Sequence, residues 1–163
     1  MAQAPGQKSV VQDYLRKLFA HEHWANRKLV AALRAAAKVP PRTEELLSHI
    51  LNTHRFWELR VHGQPIPEFN FWHLLSLDQC ETLNEEYARK WPEYIRSLPE
   101  PIEKQVVNFT AFDGTPRTFR AVDILTQLHS HSVHHRAQIM LDMKASGLEP
   151  VTTDYLLFCR KSS

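Results

Sequence analysis

Leu128-His129-Ser130-His131-Ser132-Val133-His134-His135-Arg136-Ala137-Gln138 carries four of the ten histidines of this 163-residue chain. Two of them, His131 and His135, are four positions apart. On a helix that spacing stacks two imidazoles on one face, with Cβ atoms about 5–6 Å apart. Two neutral imidazoles so placed can share one divalent transition metal. The surrounding segment, from about Arg120 to Ser146, contains neither proline nor glycine, and Gly147 followed by Pro150 supplies a stop. A long fourth helix is therefore expected here, and its histidines point to a metal site before they point to any reaction.

Working outward, the chain offers three more long helices. From about Val10 to Ala37, the residues Val11, Leu15, Leu18, Ala25, Leu29 and Ala32 fall on one amphipathic stripe. Glu22 lies on the same stripe, which is unexpected for an apolar core face. Pro40-Pro41 closes this helix and opens the next, because proline is tolerated in a first turn but not in an interior. The second helix is expected from about Arg42 to His62, with Leu46, Leu47, Ile50, Leu51 and Trp57 as apolar bulk. Gly63-Gln64-Pro65-Ile66-Pro67 ends it.

Pro65 to Leu75 is aromatic and irregular (Phe69, Phe71, Trp72) and reads as a packed loop, with a pocket-lining role as the rarer alternative. Ser76-Leu77-Asp78-Gln79 fits a capping box that opens a third helix running to about Ser97, closed by Pro99 and Pro101. Val106, Val107, Phe109 and Phe112 lead into Asp113-Gly114, a hairpin-turn dipeptide, and Pro116 to Phe119 form the return arm. Thr152 to Arg160 is a short tail with Tyr155, Leu156 and Phe158 expected to dock on the core. Residues 1–7 read as a disordered lead-in. Without repeats or linkers, residues 1–163 form one domain, and the fold class is all-α: a four-helix bundle with a small β-hairpin before the fourth long helix.

Composition narrows the function classes. The net charge is +2, with lysine and arginine scattered, which argues against a nucleic-acid partner. Cys80 and Cys159 show no CxxC spacing, which suits a reducing cytoplasm better than a disulfide framework, and neither sits in an activating motif. No stretch approaches the ~20 apolar residues of a membrane span, and Met1-Ala2-Gln3-Ala4-Pro5 lacks the apolar core of a signal peptide. A cytoplasmic protein is expected.

Two ligands make a weak site; an open metal centre usually has three protein ligands. The second helix offers His49 and His54, five apart and so about 140° apart around the axis. Both border the core, and spacing favours His49 only slightly. His129 and His134 are rotated away from the His131/His135 face and are expected at the surface or behind the ligands. His21, His23, His62 and His73 are expected to be ordinary hydrogen-bonded histidines.

At these residues the chain resembles the DinB-like (DinB/YfiT) superfamily of metal-binding four-helix bundles. Trp24-Ala25-Asn26-Arg27 is similar to its first-helix motif. His49-Ile50-Leu51 with Arg55-Phe56-Trp57 is similar to its second-helix motif, and His131 through Gln138 resembles its HxxxHRGQ segment. Gly147-Leu148-Glu149-Pro150 and Thr153-Asp154-Tyr155 resemble its closing pattern. The resemblance implies His49, His131 and His135 as the metal ligands, and it implies a homodimer built through helix faces. Ala137 departs from the pattern, which commonly has glycine there, and is expected to shift local helix packing slightly.

Three neutral imidazoles leave a divalent ion its full charge and an open position. Such an ion can lower the pKa of bound water, polarise a substrate oxygen or activate a thiolate. Imidazole suits Zn, Ni, Fe and Cu alike, and affinity order alone does not choose among them; Zn or Ni is expected foremost, with Fe next. The resemblance implies relatives that use the site for transfer of low-molecular-weight thiols or for isomerisation, and others associated only with stress or damage. Two function classes follow. One is a metal-dependent enzyme, either a thiol S-transferase or a small hydrolase. The other is a non-catalytic, damage-inducible metal-binding protein. No general base is evident: Glu22 is the one candidate, and an ion pair with Arg136 is its more ordinary fate.

Overall fold

The computed structural model describes residues 10–161, so the disorder expected for residues 1–7 lies outside the described residues. Four long helices dominate: α1 (Val10–Ala35), α2 (Pro41–Val61), α3 (Leu77–Ser97) and α4 (Ala121–Ala145). A short 3-10 turn, Ile102–Lys104, and an antiparallel hairpin of β1 (Val106–Thr110) and β2 (Pro116–Arg120) separate α3 from α4, and a terminal helix α5 spans Tyr155–Lys161.

The helix boundaries follow local chemistry. Proline occupies the first position of α2, where no backbone donor is needed. The capping box of α3 is formed on both sides: Gln79 N–H donates to Ser76 Oγ (3.2 Å), and Ser76 N–H donates to Gln79 Oε1 (2.8 Å). Ser76→Ala is expected to cost about 1 kcal/mol, read as a lower midpoint in urea unfolding at an unchanged slope. In the hairpin, Val106 pairs with Arg120 and Thr110 with Pro116. The turn spans Ala111 to Thr115, with Gly114 at φ +79° and Asp113 Oδ1 accepting from Thr115 N–H at 2.9 Å. Phe112 therefore sits in the turn and not on a strand.

The helices are arranged α1–α3–α2–α4 around the bundle, so that the consecutive α1 and α2 are diagonal to each other. Gln12 near the start of α1 donates to the carbonyls of Ile95 and Leu98 at the end of α3, while Arg34 near the end of α1 pairs with Asp78 and Glu81 at the start of α3. These two helices are thus antiparallel. The same holds for α2 and α4, where Thr43 Oγ1 donates to Asp142 (2.7 Å) and His54 meets Ser132 (3.1 Å). Leu29, Leu47, Ile50, Trp91, Ile95, Leu125, Leu128 and Ile139 fill the interior.

Two expected core residues are not core. Val11 is 42 % exposed, because Gln12 already reaches the last carbonyls of α3 and leaves Val11 little of that helix to pack on. Leu156 is 76 % exposed: in the one-sided α5, Tyr155 and Phe158 face His21, and Phe158 also meets Trp24. Ala137 is exposed, so its Cβ does not enter the helix packing expected of it.

Candidate metal centre

Antiparallel pairing of α2 with α4 sets His49 opposite the His131/His135 face. The Nε2 atoms of His49 and His131 are 3.2 Å apart, and those of His135 and His131 are 3.1 Å apart. The three ligand atoms form the one such group among the described residues able to hold a metal ion. Metal–nitrogen bonds of about 2.0–2.1 Å in tetrahedral geometry would set the nitrogens roughly 3.3 Å apart. The observed separations fit that with little adjustment.

Proton placement sharpens the fit. His49 Nδ1–H donates to the Phe71 carbonyl at 3.2 Å, and His135 Nδ1–H donates to Gln138 Oε1 at 2.7 Å. In neutral rings this leaves both Nε2 atoms as bare lone pairs aimed at His131 Nε2. His131 has a single proton to offer, while its buried Nδ1 has no hydrogen-bond partner. Hence the three converging Nε2 atoms share at most one proton, and a cation among them would satisfy all three. Protonation is a poor substitute. Burial, followed by the neighbouring His135 and His49, pushes the His131 imidazolium down to about 4. Burial also lowers His49 and His135, despite the raising effect of the Phe71 carbonyl on the one and of Gln138 on the other.

The groups behind the ligands hold them in place. Gln138 Nε2 reaches His134 Nε2 (3.2 Å), so the exposed His134 supports His135 from outside. The aromatic stretch expected as a packed loop is more than that. Trp72 stacks on His49 with ring centroids 4.0 Å apart and planes 7° apart, and the Arg42 guanidinium lies over the Trp72 ring at 5.3 Å. Asn52 Nδ2 ties the loop to α2 through the His73 carbonyl (2.7 Å) and the Phe71 carbonyl (3.4 Å). Sequence reasoning missed these supports; the signal was an aromatic run opposite a helix bearing an inward-facing Asn52.

The structure separates His54 from the site. Trp91 Nε1–H donates to His54 Nδ1 at 2.9 Å, and indole is donor-only, so the neutral His54 ring carries its proton on Nε2. That nitrogen faces Ser132 Oγ at 3.1 Å and Glu22 Oε1 at 3.6 Å. Ser132 donates to the Leu128 carbonyl at 3.0 Å. A Ser–His–Glu grouping thus exists, but its histidine presents a proton to the serine and cannot accept one. It is a buried polar network and not a nucleophile.

Glu22 takes the expected ion pair: Arg136 Nη1 donates to its Oε1 at 2.7 Å, with Asn26 Nδ2 at 3.2 Å. Burial by itself would raise this carboxyl, but Arg136 and His54 outweigh it and hold Glu22 well below the usual carboxylate range. So held, it is no general base for the histidine centre. His21 is buried, with Nε2–H donating to the Thr153 carbonyl at 2.7 Å, and it meets the partly buried His129 at 3.3 Å. Burial pushes the Cys80 thiol up to about 12, which removes it as a nucleophile.

A helical bundle whose two facing helices converge three imidazoles defines a class of protein with a candidate three-histidine metal centre. The chain belongs to the DinB family, whose model matches residues 9–162. No curated protein matches it.

Proposed function

We propose that this DinB protein binds one divalent transition metal, Zn or Ni, through His49, His131 and His135, and uses it as a metal-dependent enzyme. The reactions that suit the site are transfer to or from a low-molecular-weight thiol, or hydrolysis of a small substrate. The observation that carries this reading is the convergence of three Nε2 atoms with too few protons among them. When bound, the ion supplies Lewis acidity at an open position. The protein's own contribution is orientation: the Phe71 carbonyl and Gln138 fix two ring tautomers, and Trp72 clamps the His49 ring. A cytoplasmic homodimer is the form in which we expect it to act. No helix of the described residues is long and apolar enough to cross a membrane.

A second reading, a non-catalytic metal-binding protein of the stress or damage response, is favoured by one observation. The groups flanking the three imidazoles are Trp72, Phe71, Gln138, His134 and Arg42, and none of these is a carboxylate. Chelation separates the two readings. A stripped chain that keeps its helical circular dichroism but loses thiol-transfer or hydrolase turnover supports the enzyme. Wholesale unfolding on chelation supports a structural ion.

The supporting shell is testable on its own. Asn52→Ala frees the loop that carries Phe71 and Trp72, and Gln138→Leu removes the acceptor behind His135. Each is expected to weaken metal affinity about 10–100-fold, measured by competition with a chromophoric chelator.

A further inference from the structure

Arg60 is 6 % exposed near the end of α2. Its guanidinium lies over three phenylalanine rings, those of Phe56 (5.2 Å), Phe109 (5.0 Å) and Phe112 (5.5 Å). Among the described residues it makes no ion pair and no side-chain hydrogen bond, and its buried Nε has no partner. Among the described residues the buried carboxylate Glu22 and the buried guanidinium Arg136, by contrast, pair with each other. A buried Nε–H without an acceptor is costly, and three ring faces do not supply one.

The same side chain lines an open cavity of about 660 Å³ between the Gly63–Pro67 segment and the hairpin. That volume suits a small organic ligand. Arg60 is the sole charged residue on the wall, while Pro65, Ile66, Phe109 and Phe112 make much of the rest apolar. Arg60 is also eleven residues beyond His49 on one helix, about 16 Å along the axis, so the cavity is separate from the histidine centre.

We propose that this cavity is a binding site for a small organic monoanion, a carboxylate on an apolar or aromatic body. The carboxylate accepts from the Arg60 fork, and the body packs on the phenylalanine and proline wall. A single guanidinium matches one negative charge and offers the planar, paired donors that a carboxylate accepts. A phosphate dianion would find no second cation on this wall.

The probe is 4-fluorophenylacetate, titrated into the 163-residue chain and followed by fluorine NMR, with 4-fluorophenylacetamide as the neutral isostere. Saturable binding of the acid is expected. Binding should weaken about 30-fold or more in Arg60→Met, and several-fold in Phe112→Ala, whose exposed ring can be removed without disturbing the core. The amide should bind far more weakly than the acid. The His131→Ala variant should bind the acid as the wild type does. Equal binding of acid and amide, or full affinity in Arg60→Met, overturns the proposal. Loss of binding in His131→Ala does so too, because it would place the carboxylate on a metal at the histidine centre. If Arg60→Met fails to fold, Phe112→Ala and the acid–amide comparison decide by themselves. No saturation by the wild type also overturns it.

Discussion

His131→Ala is expected to take metal binding from about one ion per chain to none, the largest effect of any single substitution at the site. His131 is the central ligand: its Nε2 lies 3.2 Å from that of His49 and 3.1 Å from that of His135, so its loss leaves two imidazoles without a common third. The stripped variant should nevertheless be at least as stable as the stripped wild type. Without an ion, the wild type keeps a buried Nδ1 with no partner and three Nε2 atoms that share at most one proton, and alanine removes the orphaned Nδ1 and its central ring. Isothermal titration with Zn or Ni gives the first result, and thermal melts in chelator give the second. A Tm for stripped His131→Ala well below that of the stripped wild type would show that the ring is a packing residue and not a ligand in waiting.

The Glu22–Arg136 pair carries the second large effect, this time on stability. Both side chains are almost wholly buried, and Arg136 Nη1 reaches Glu22 Oε1 at 2.7 Å. Glu22→Ala abandons a guanidinium inside the bundle, and a loss of about 3–5 kcal/mol is expected in urea unfolding. The double variant Glu22→Leu/Arg136→Met should recover much of that loss, because both desolvated charges go together. The pH dependence has a definite sign. Glu22 is held below its ordinary 4.5, so its contribution is complete above that value and fades as pH falls toward the depressed one. Acid unfolding of the wild type should be steeper than that of the double variant.

The parts of this molecule set by local rules could be read from the chain alone. The Ser76/Gln79 box, the proline start of α2, the glycine after α4 and the 3.6-residue stripes are each decided within a few residues. The pairing of His131 with His135 was equally local. The choice between His49 and His54 was not, because both border the core and only the register of α2 against α4 separates them. Family resemblance favoured His49, and the structure brings that residue to the other two while giving His54 to Trp91 and Ser132. The Trp72 clamp and the Phe71 carbonyl were illegible for a different reason. A loop without periodicity carries no signal for where it folds back, so neither its contact with His49 nor its tie to Asn52 follows from spacing. The Arg60 cage has the same origin, since Phe56, Phe109 and Phe112 come from a helix, a strand and a turn.

The central claim is that three histidines from two helices hold one metal ion. It is tested most directly by mass-spectrometric metal analysis of the 163-residue chain, purified without an affinity tag and loaded with Zn or Ni, beside the His131→Ala/His135→Ala double variant. The arrangement of the three Nε2 atoms predicts about one ion per chain, lost in the variant. No retained ion after loading, or an equal load in the variant, would contradict it.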